Sequence, residues 1–420
     1  MMKMYRRQLL TTTAGAFALA ALAVSTGFAP VQADEKLVTI GIQLPLTGAD
    51  ADSATRIKNG ALMAIEEVNG KGGVGGYKIS VTVLDSGTAT AGQYDPAQAA
   101  TNTKKFVADP NVVALVGPQM SGEGKAMTPI LSAANLATIT PSSTNPDITD
   151  PKFAGQYKPN GKAIYFRTVT TDAFQGPNMA NYMRDTLKVK SVYILDDSGA
   201  YGVGISNAFE AQAKKIGMNV MGRDQLDPKE ADYATIITKI KGLNPDAVYY
   251  GGVAQAGVKV AKQLHEIMPS VIKAGGDGMV DGGLLSAVGF PAIEGWYCTQ
   301  ASPHVMDDAS MSDWVARYTK AYKMTPTDYA ITAYDAVQVI VDAIKRVSAS
   351  GQEVNRDTVR DAIQTTKIDT LQGPVAFDEN GDIVNKVISV FSITHDAKYP
   401  DDDMQHQYKY IGVAPESPTS

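Results

Sequence analysis

The chain has 420 residues, of which 44% are hydrophobic and 20% are charged, and its formal net charge is −6 at pH 7. This acidic balance argues against nucleic acid or an anionic membrane surface as a partner, because both bind clustered basic side chains. Cys298 is the only cysteine, so the fold has no internal disulfide and must be stabilised by burial of a hydrophobic core.

The first 33 residues have the pattern of an export signal. Three basic residues precede an apolar run over residues 14–24, and Val31-Gln32-Ala33 forms a small-residue cleavage site. The apolar run is too short to be kept as a membrane span. The adjacent Arg6 and Arg7 fit the twin-arginine route, and they fit an ordinary secretory signal equally well.

After the signal, strand-like and helix-like patterns alternate. The predicted strands are Val38–Leu44, Ile79–Asp85, Val112–Gly117, Ala137–Thr140, Ile164–Arg167, Val192–Asp196, Asn219–Arg223, Ala247–Gly251 and Gly295–Thr299. The predicted helices are Asp52–Asn69, Val203–Ile216, Ala256–Met268, Met311–Tyr322, Ile331–Val347 and Asn355–Thr365. Repeated strand–helix units predict parallel sheets covered by helices, here in two lobes with a cleft between them.

The end of the chain breaks this alternation. Val375–Phe377 and Val387–Ile393 flank an Asn380-Gly381 turn, which is a strong signal for a β-hairpin. Pro and Ser are frequent near the C-terminus, and we expect residues 413–420 to be disordered.

Two neighbouring strands of the first predicted lobe end in small polar residues: Ser121-Gly122 follows one, and Ser142-Ser143-Thr144 follows the next. Ligands of open α/β sheets bind beyond the carboxyl ends of strands. Small residues let the backbone approach a ligand, and the amides of a helix start favour an anion. These loops therefore predict a site that binds the carboxylate of a ligand. Ser121 and Thr144 as simple helix caps explain the pattern equally well.

Two strands of the second predicted lobe also end in polar loops. Tyr201 offers an aromatic face with a hydroxyl, and Asp277 offers a carboxylate among glycines. Together they could bind an ammonium group. A turn aspartate and a half-buried aromatic residue at a helix start are the alternatives.

Catalytic and metal-binding patterns are missing from the sequence. The four histidines show no HExxH spacing, and Gln119 interrupts the G-x-S-x-G pattern that a hydrolase would have around Ser121. We therefore predict no catalytic residue, no metal and no cofactor. Export, two lobes and the absence of a catalytic constellation favour a binding protein over an enzyme.

A set of segments resembles the periplasmic solute-binding proteins of the leucine/isoleucine/valine type, which serve branched-chain amino acid ABC transporters. The similarity covers nearly all of the chain after the signal. The segments, in the family's order, are IGIQLPLTG, NGALMAIEEVNGKGGVGG, VALVGPQMSG, TPSSTNPDIT, FRTVTTDAFQGP, LDDSGAYG, NPDAVYYGG, AYDAVQVI and GPVAFDENGD.

The resemblance implies an α/β fold with two Rossmann-like lobes joined by three crossovers, the type I periplasmic binding protein fold. The crossovers would lie near Thr168–Thr171, Thr299–Pro303 and Ile368–Gly373. The implied division is residues 1–33 as signal peptide, 34–170 with 302–370 as lobe 1, 171–301 with 371–412 as lobe 2, and 413–420 as tail.

The resemblance also implies roles for individual residues. Ser121 and Thr144 would hold the α-carboxylate of a ligand, with the Ser142-Ser143 pair beside them. Tyr201 would contact the ligand, and Asp277 would bind its α-ammonium. The positions expected to surround the ligand side chain differ from the family pattern, with Ser53 where an aromatic residue is common.

The implied function is capture of an amino acid, branched-chain or related, in the periplasm by hinge closure. Delivery would be to an inner-membrane ABC permease with its ATPase subunits, and we expect a monomer. Alternatives within the same fold are an aromatic acid, an amide or a urea derivative as ligand, or a role as a periplasmic sensor module. An exported α/β enzyme is the alternative from another class.

Overall fold

The computed structural model describes residues 36–414. In this range the strands are, in chain order, β1 (Lys36–Leu44), β2 (Tyr77–Asp85), β3 (Gly87–Thr88), β4 (Gln93–Tyr94), β5 (Val112–Val116), β6 (Thr138–Thr140), β7 (Tyr165–Arg167), β8 (Ser191–Asp196), β9 (Asn219–Gln225), β10 (Ala247–Gly251), β11 (Ile272–Gly275), β12 (Trp296–Gln300), β13 (Lys367–Thr370), β14 (Gly373–Ala376), β15 (Ser389–Ile393) and β16 (Tyr408–Val413).

The helices alternate with these strands through most of the described range. They are α1 (Ala51–Gly70), α2 (Pro96–Ala108), α3 (Ser121–Ala133), α4 (Ala154–Tyr157), α5 (Asp172–Asp185), α6 (Ala200–Lys215), α7 (Ala234–Leu243), α8 (Ala254–Ile267), α9 (Gly282–Val288), α10 (Ser312–Tyr322), α11 (Asp328–Ala349), α12 (Arg356–Gln364) and α13 (Met404–Gln407). Short 3-10 helices occur at Pro146–Ile148, Pro151–Phe153, Asp277–Met279 and Ala309–Met311.

The first sheet is entirely parallel, with the strand order β2-β1-β5-β6-β7. Its central strand β5 is the apolar run VVALV, and every residue of it is buried. Continuous apolar strands are typical of parallel sheets that helices cover on both faces. On α1, Ile57, Ala61 and Ala64 are fully buried, and this helix packs against α11.

The second sheet has the order β16-β15-β12-β11-β10-β8-β9. Strands β8 to β12 run parallel, and β15 and β16 are antiparallel to their neighbours. The fully buried β10 packs against α6, where the rings of Tyr249 and Phe209 stack with their centroids 3.8 Å apart. Tyr249 and Phe209 belong to a core that also includes residues of the first sheet. Tyr250, Val260 and Trp296 belong to a separate core of the second sheet.

The polypeptide passes between the two sheets three times within the described range. It leaves the first sheet after β7, and it returns after β12 to form α10, α11 and α12, which pack against α1 and β5. It then joins the second sheet again as β15. This connectivity confirms the predicted fold class of two Rossmann-like lobes joined by three crossovers. The residue boundaries of the lobes stay a prediction.

The predicted hairpin across Asn380-Gly381 is wrong. A turn does form there, but in the described structure a single bridge, between Phe377 and Ile383, joins its arms. Strand β14 pairs with β13, and β15 pairs with β12 and β16. The turn packs against β7, where the Gly381 carbonyl accepts a hydrogen bond from Arg167 N. Tertiary contacts therefore override the local hairpin signal.

Both predicted terminal segments fall mainly beyond the described range. The export signal, residues 1–33, and residues 415–420 of the predicted tail lie outside the described residues. Strand β16 extends to Val413, and Ala414 N donates to the Ile388 carbonyl. Across residues 36–414, none of the helices combines the length and the apolar character that crossing a bilayer requires.

Candidate functional site

A small cavity lies where the carboxyl ends of strands from both sheets meet. Its walls come from the loops after β1, β5 and β6, from the loops after β8, β10 and β11, and from the start of α11. The space that the centre of a water molecule can reach is about 40 Å³, whereas a single water needs roughly 10–15 Å³. The lining residues are Asp50, Ser53, Gln119, Met120, Ser121, Ser142, Tyr201, Val253, Ala254, Asp277, Gly278, Val280, Asp281 and Tyr329.

Ser121 presents a hydroxyl at the start of α3. Its Oγ accepts hydrogen bonds from Asn145 N (3.2 Å) and from Ser143 Oγ (3.3 Å), so its own proton remains free for another acceptor. The first amides of a helix have no partner within the helix. On the neighbouring loop, Ser142 Oγ donates to the Gln119 carbonyl (3.2 Å). This wall of the cavity therefore offers hydrogen-bond donors to an anion.

Ser143 and Thr144 lie behind this wall. Both are buried, and neither is among the residues that line the cavity. Ser143 N donates to Thr140 Oγ1 (2.8 Å), and the Thr144 carbonyl accepts from Asp172 N (2.9 Å). The Thr144 hydroxyl has no hydrogen-bond partner among the described residues. These two residues shape the loop after β6 through their backbones.

Arg167, at the end of β7, anchors the same loop. Its side chain is fully buried, and its guanidinium donates from Nη1 to the Ser143 carbonyl (2.5 Å) and from Nη2 to the Asn145 carbonyl (2.7 Å). Its Nε pairs with Asp382 Oδ1 (2.8 Å). A planar guanidinium suits such a fixed set of acceptors. Arg167 therefore positions the loop without lining the cavity.

Asp277 is the centre of a hydrogen-bond network on the other wall. Its Oδ1 accepts from the Tyr201 hydroxyl (2.6 Å) and from Gln175 Nε2 (3.0 Å), and its Oδ2 accepts from the Tyr329 hydroxyl. The Tyr201 oxygen also accepts from Gly278 N (3.0 Å). These donors fix the carboxylate in place, and Tyr329 brings α11 into the site.

A second buried carboxylate, Asp172, lies close to Asp277. Gln175 Nε2 bridges the two, since it also donates to Asp172 Oδ1 (3.1 Å). Burial, with a further contribution from the charge of Asp277, raises the pKa of Asp172 to about 8. Burial also raises the pKa of Asp277, against the effect of its hydrogen-bond donors. A cation beside Asp277 would favour its ionised form.

Two further carboxylates line the cavity, at Asp50 and Asp281. Burial, with a contribution from the charge of Asp281, raises the pKa of Asp50 to about 7. Burial and the charge of Asp52 raise the pKa of Asp281 to about 6. Neither residue is predicted from the sequence, because an aspartate before a helix is the ordinary N-cap pattern. With Asp277, they make the cavity wall strongly acidic.

The structure brings Ser121, Ser142, Tyr201 and Asp277 together around one cavity. Ser143 and Thr144 support this site from behind. The ligand-binding roles of all six remain predictions. Sequence reasoning missed Tyr329, which lies in the first turn of a helix where an aromatic residue usually indicates core packing.

Comparison with known proteins places this architecture in a family. The model of a family described as periplasmic binding protein matches residues 37–398. The chain belongs to that family. A Leu/Ile/Val-binding protein of Rhizobium johnstonii is 31% identical over 374 residues, which cover 89% of this chain and 95% of that protein. Members of the family are periplasmic substrate-binding proteins of transport systems, and curated relatives are Leu/Ile/Val-binding proteins.

Solved structures share the fold of this periplasmic binding protein. LivJ, a branched-chain amino acid transporter substrate-binding protein of Streptococcus pneumoniae solved with isoleucine, has a TM-score of 0.75 at 23% identity, covering 90% of this chain and all of that one. A solute-binding protein of an ABC transporter from R. palustris, solved with benzoate, has a TM-score of 0.73 at 21% identity, with coverages of 91% and 97%. One fold thus holds different ligands.

Proposed function

We propose that this protein captures an amino acid in the periplasm and delivers it to an ABC permease of the inner membrane. The observation that carries the proposal is one cavity with hydroxyl and amide donors on one wall and the Asp277 carboxylate on the other. An α-amino acid carries one anionic and one cationic group on the same carbon. The two walls match that pair of charges.

The carboxylate of the ligand would lie beside Ser121 and the first amides of α3. The Ser121 hydroxyl accepts two hydrogen bonds and keeps its own proton for donation. A helix start adds a favourable field for an anion. Ser142, on the adjacent loop, completes this wall.

The ammonium of the ligand would lie beside Asp277. Two donors reach Oδ1 of this carboxylate and one reaches Oδ2, so Oδ2 keeps the capacity to accept one more hydrogen bond. A charge-assisted hydrogen bond to a buried carboxylate is among the stronger polar contacts in proteins. The same carboxylate disfavours an aromatic acid that lacks a cationic group, because two facing anions repel each other.

Delivery follows from closure of the two lobes around the ligand. Ser121 and Asp277 follow strands of different sheets, so a ligand that contacts both stabilises the arrangement in which they are close. The partners are the permease and its ATPase subunits, and the receptor acts as a monomer. Residues 1–33 direct export, and transport rather than catalysis is the activity.

The experiment is titration calorimetry on purified protein that has been unfolded, dialysed and refolded to remove bound solute. The panel pairs each amino acid with its des-amino acid and its amide. We expect at least one amino acid to bind at least tenfold more tightly than its des-amino analogue. Equal or tighter binding of the des-amino acids overturns the proposal in favour of an organic acid, and preference for amides or urea derivatives overturns it in favour of that class.

A further inference from the structure

The cavity contains more carboxylate than a neutral amino acid needs. Asp50 and Asp281 line it together with Asp277, and none of the described residues in its wall is basic. The side chains of Asp50 and Asp281 are only 2% and 6% exposed. Burying a carboxylate without a cation is costly, so their presence requires an explanation.

Each of these two carboxylates accepts a hydrogen bond from a backbone amide at one oxygen. Asp50 Oδ2 accepts from Tyr94 N (2.9 Å), and Asp281 Oδ1 accepts from Leu284 N at the start of α9 (2.6 Å). Among residues 36–414, the hydrogen bonds to these two side chains reach Asp50 Oδ2 and Asp281 Oδ1, and the Gly283 amide lowers the pKa of Asp281 against the larger effect of burial. An N-cap role accounts for the Leu284 contact of Asp281 and does not require its second oxygen.

The charge of Arg56 favours the ionised form of Asp281, but the hydrogen bonds of this guanidinium go to other groups. Arg56 Nε is paired with Asp52 (2.8 Å), and its Nη1 donates to the Thr325 carbonyl (2.5 Å). Arg56 does not line the cavity. Asp50 and Asp281 therefore face the cavity as two buried acids that lie close enough to repel each other.

We infer that Asp50 and Asp281 form a subsite for a second cationic group, so that the ligand is an amino acid with an ammonium on its side chain. This inference rests on the proposed function, in which Asp277 holds the α-ammonium. The apolar side chains of Met120, Val253 and Val280 in the same wall would contact the methylene carbons between the two charges. The limited volume favours a short diamino acid over a guanidinium side chain.

The test uses pairs of amino acids that differ only in the terminal ammonium. Purified, solute-free protein is titrated with ornithine and norvaline, and with 2,4-diaminobutyrate and 2-aminobutyrate. We expect the diamino member of at least one pair to bind roughly 10- to 150-fold more tightly, the range for charge-assisted hydrogen bonds.

The variants Asp50→Asn and Asp281→Asn test whether the preference for the diamino acid depends on these two carboxylates. Asparagine keeps an oxygen for the Tyr94 or Leu284 amide, so we expect both variants to fold, and thermal melting checks this. Each should reduce the ratio of diamino to neutral affinity at least tenfold, and this ratio is measured within each variant so that a general loss of binding cancels. Asp147→Asn makes the same charge change in a side chain that is 41% exposed and paired with Lys125, and it should alter neither affinity.

The outcomes separate the two hypotheses. If neutral amino acids bind at least as tightly as diamino acids, or if Asp50→Asn and Asp281→Asn leave the ratio unchanged, the cation subsite is wrong and the amino acid function stands. If des-amino acids bind as tightly as the amino acids that they match, the proposed function itself fails.

Discussion

Asp277 is the residue on which the assignment of an α-amino acid depends most. Its carboxylate is buried and is oriented by two phenols and an amide. Its immediate sequence, an acid among glycines, is a pattern that turn chemistry also explains, and the family resemblance implied the ammonium role. The partners that distinguish it, Tyr329 and Gln175, are distant in sequence and become visible only in the fold.

Asp277→Asn should weaken amino acid binding roughly 10- to 150-fold, because it removes a charge-assisted hydrogen bond to the ammonium. The ligand-free melting temperature should change little, since the lost repulsion with Asp172 offsets the hydrogen bond that the new NH2 group cannot accept. Calorimetry and thermal melting measure the two effects, with Asp147→Asn as the surface control. Unchanged affinity for amino acids would contradict the ammonium role.

Ser121→Ala should weaken binding more than Thr144→Ala. Ser121 lines the cavity, and the loss of its hydroxyl should cost roughly 2- to 13-fold in affinity, the range for one neutral hydrogen bond. The Thr144 hydroxyl lies behind the wall, so its removal should change affinity by less than about twofold. Titration of both variants with the preferred amino acid compares the two losses of affinity. A larger loss in Thr144→Ala than in Ser121→Ala would contradict the prediction.

Most residues that line the cavity lie on the loops after the strands rather than on the strands themselves. Alternation of apolar strands and amphipathic helices predicted the order of elements well, because burial in a parallel sheet leaves a continuous apolar run such as Val112–Val116. The prediction failed at Asn380-Gly381, where the turn forms but the flanking strands β14 and β15 pair with other strands. Asp50 and Asp281 were missed because a capping aspartate and a ligand-facing aspartate have the same sequence pattern.

Arg167→Met should destabilise the protein by about 3 kcal/mol, because it leaves the Asp382 carboxylate and two loop carbonyls without their buried donor. Denaturant unfolding of the ligand-free protein measures the change. The control is Arg184→Met, since Arg184 is 42% exposed and pairs with its exposed neighbour Asp185. This substitution should change the free energy of unfolding by no more than about 0.5 kcal/mol. If Arg167→Met lowers the free energy of unfolding by less than about 1 kcal/mol, the loop after β6 keeps its structure without this side chain.

Hydrogen bonds join the two halves of the molecule across the cavity. Tyr329, on the helix that packs on α1, donates to Asp277; Asn145 Nδ2 donates to the Ala200 carbonyl (2.7 Å); and Gln255 Nε2 donates to the Ala91 carbonyl (3.2 Å). The structure is therefore a closed arrangement. A ligand that contacts both walls adds to these interactions.

Saturating amino acid should reduce the radius of gyration, because the ligand shifts the population toward the closed arrangement. Small-angle X-ray scattering of solute-free and ligand-saturated protein measures the difference. Calorimetry on the same samples confirms that the ligand is bound. An unchanged radius with full occupancy would contradict hinge closure on binding.

The ligand-free protein should become less stable as the pH rises from about 5 to about 8. Burial raises the pKa of a group of acids to between about 6 and 8: Asp50, Glu123, Asp172, Asp197 and Asp281. The folded state therefore binds more protons than the unfolded state in this interval, and stability falls as these protons are lost.

Melting temperatures across this pH range test the sign of the effect. The double variant Asp50→Asn with Asp281→Asn should show a shallower decline than the unaltered protein, because two of the titrating groups are gone. A melting temperature that rises steadily from pH 5 to pH 8 would contradict the protonation of these buried acids.

The single thiol has a practical consequence. Cys298 is fully buried in β12, and burial raises its pKa well above that of a free thiol, so it is protected from thiol-reactive reagents. A cysteine introduced on the surface near the cavity could then be labelled selectively with an environment-sensitive dye. Since folding requires no disulfide, such a fluorescent reporter of lobe closure would also keep its fold in a reducing buffer.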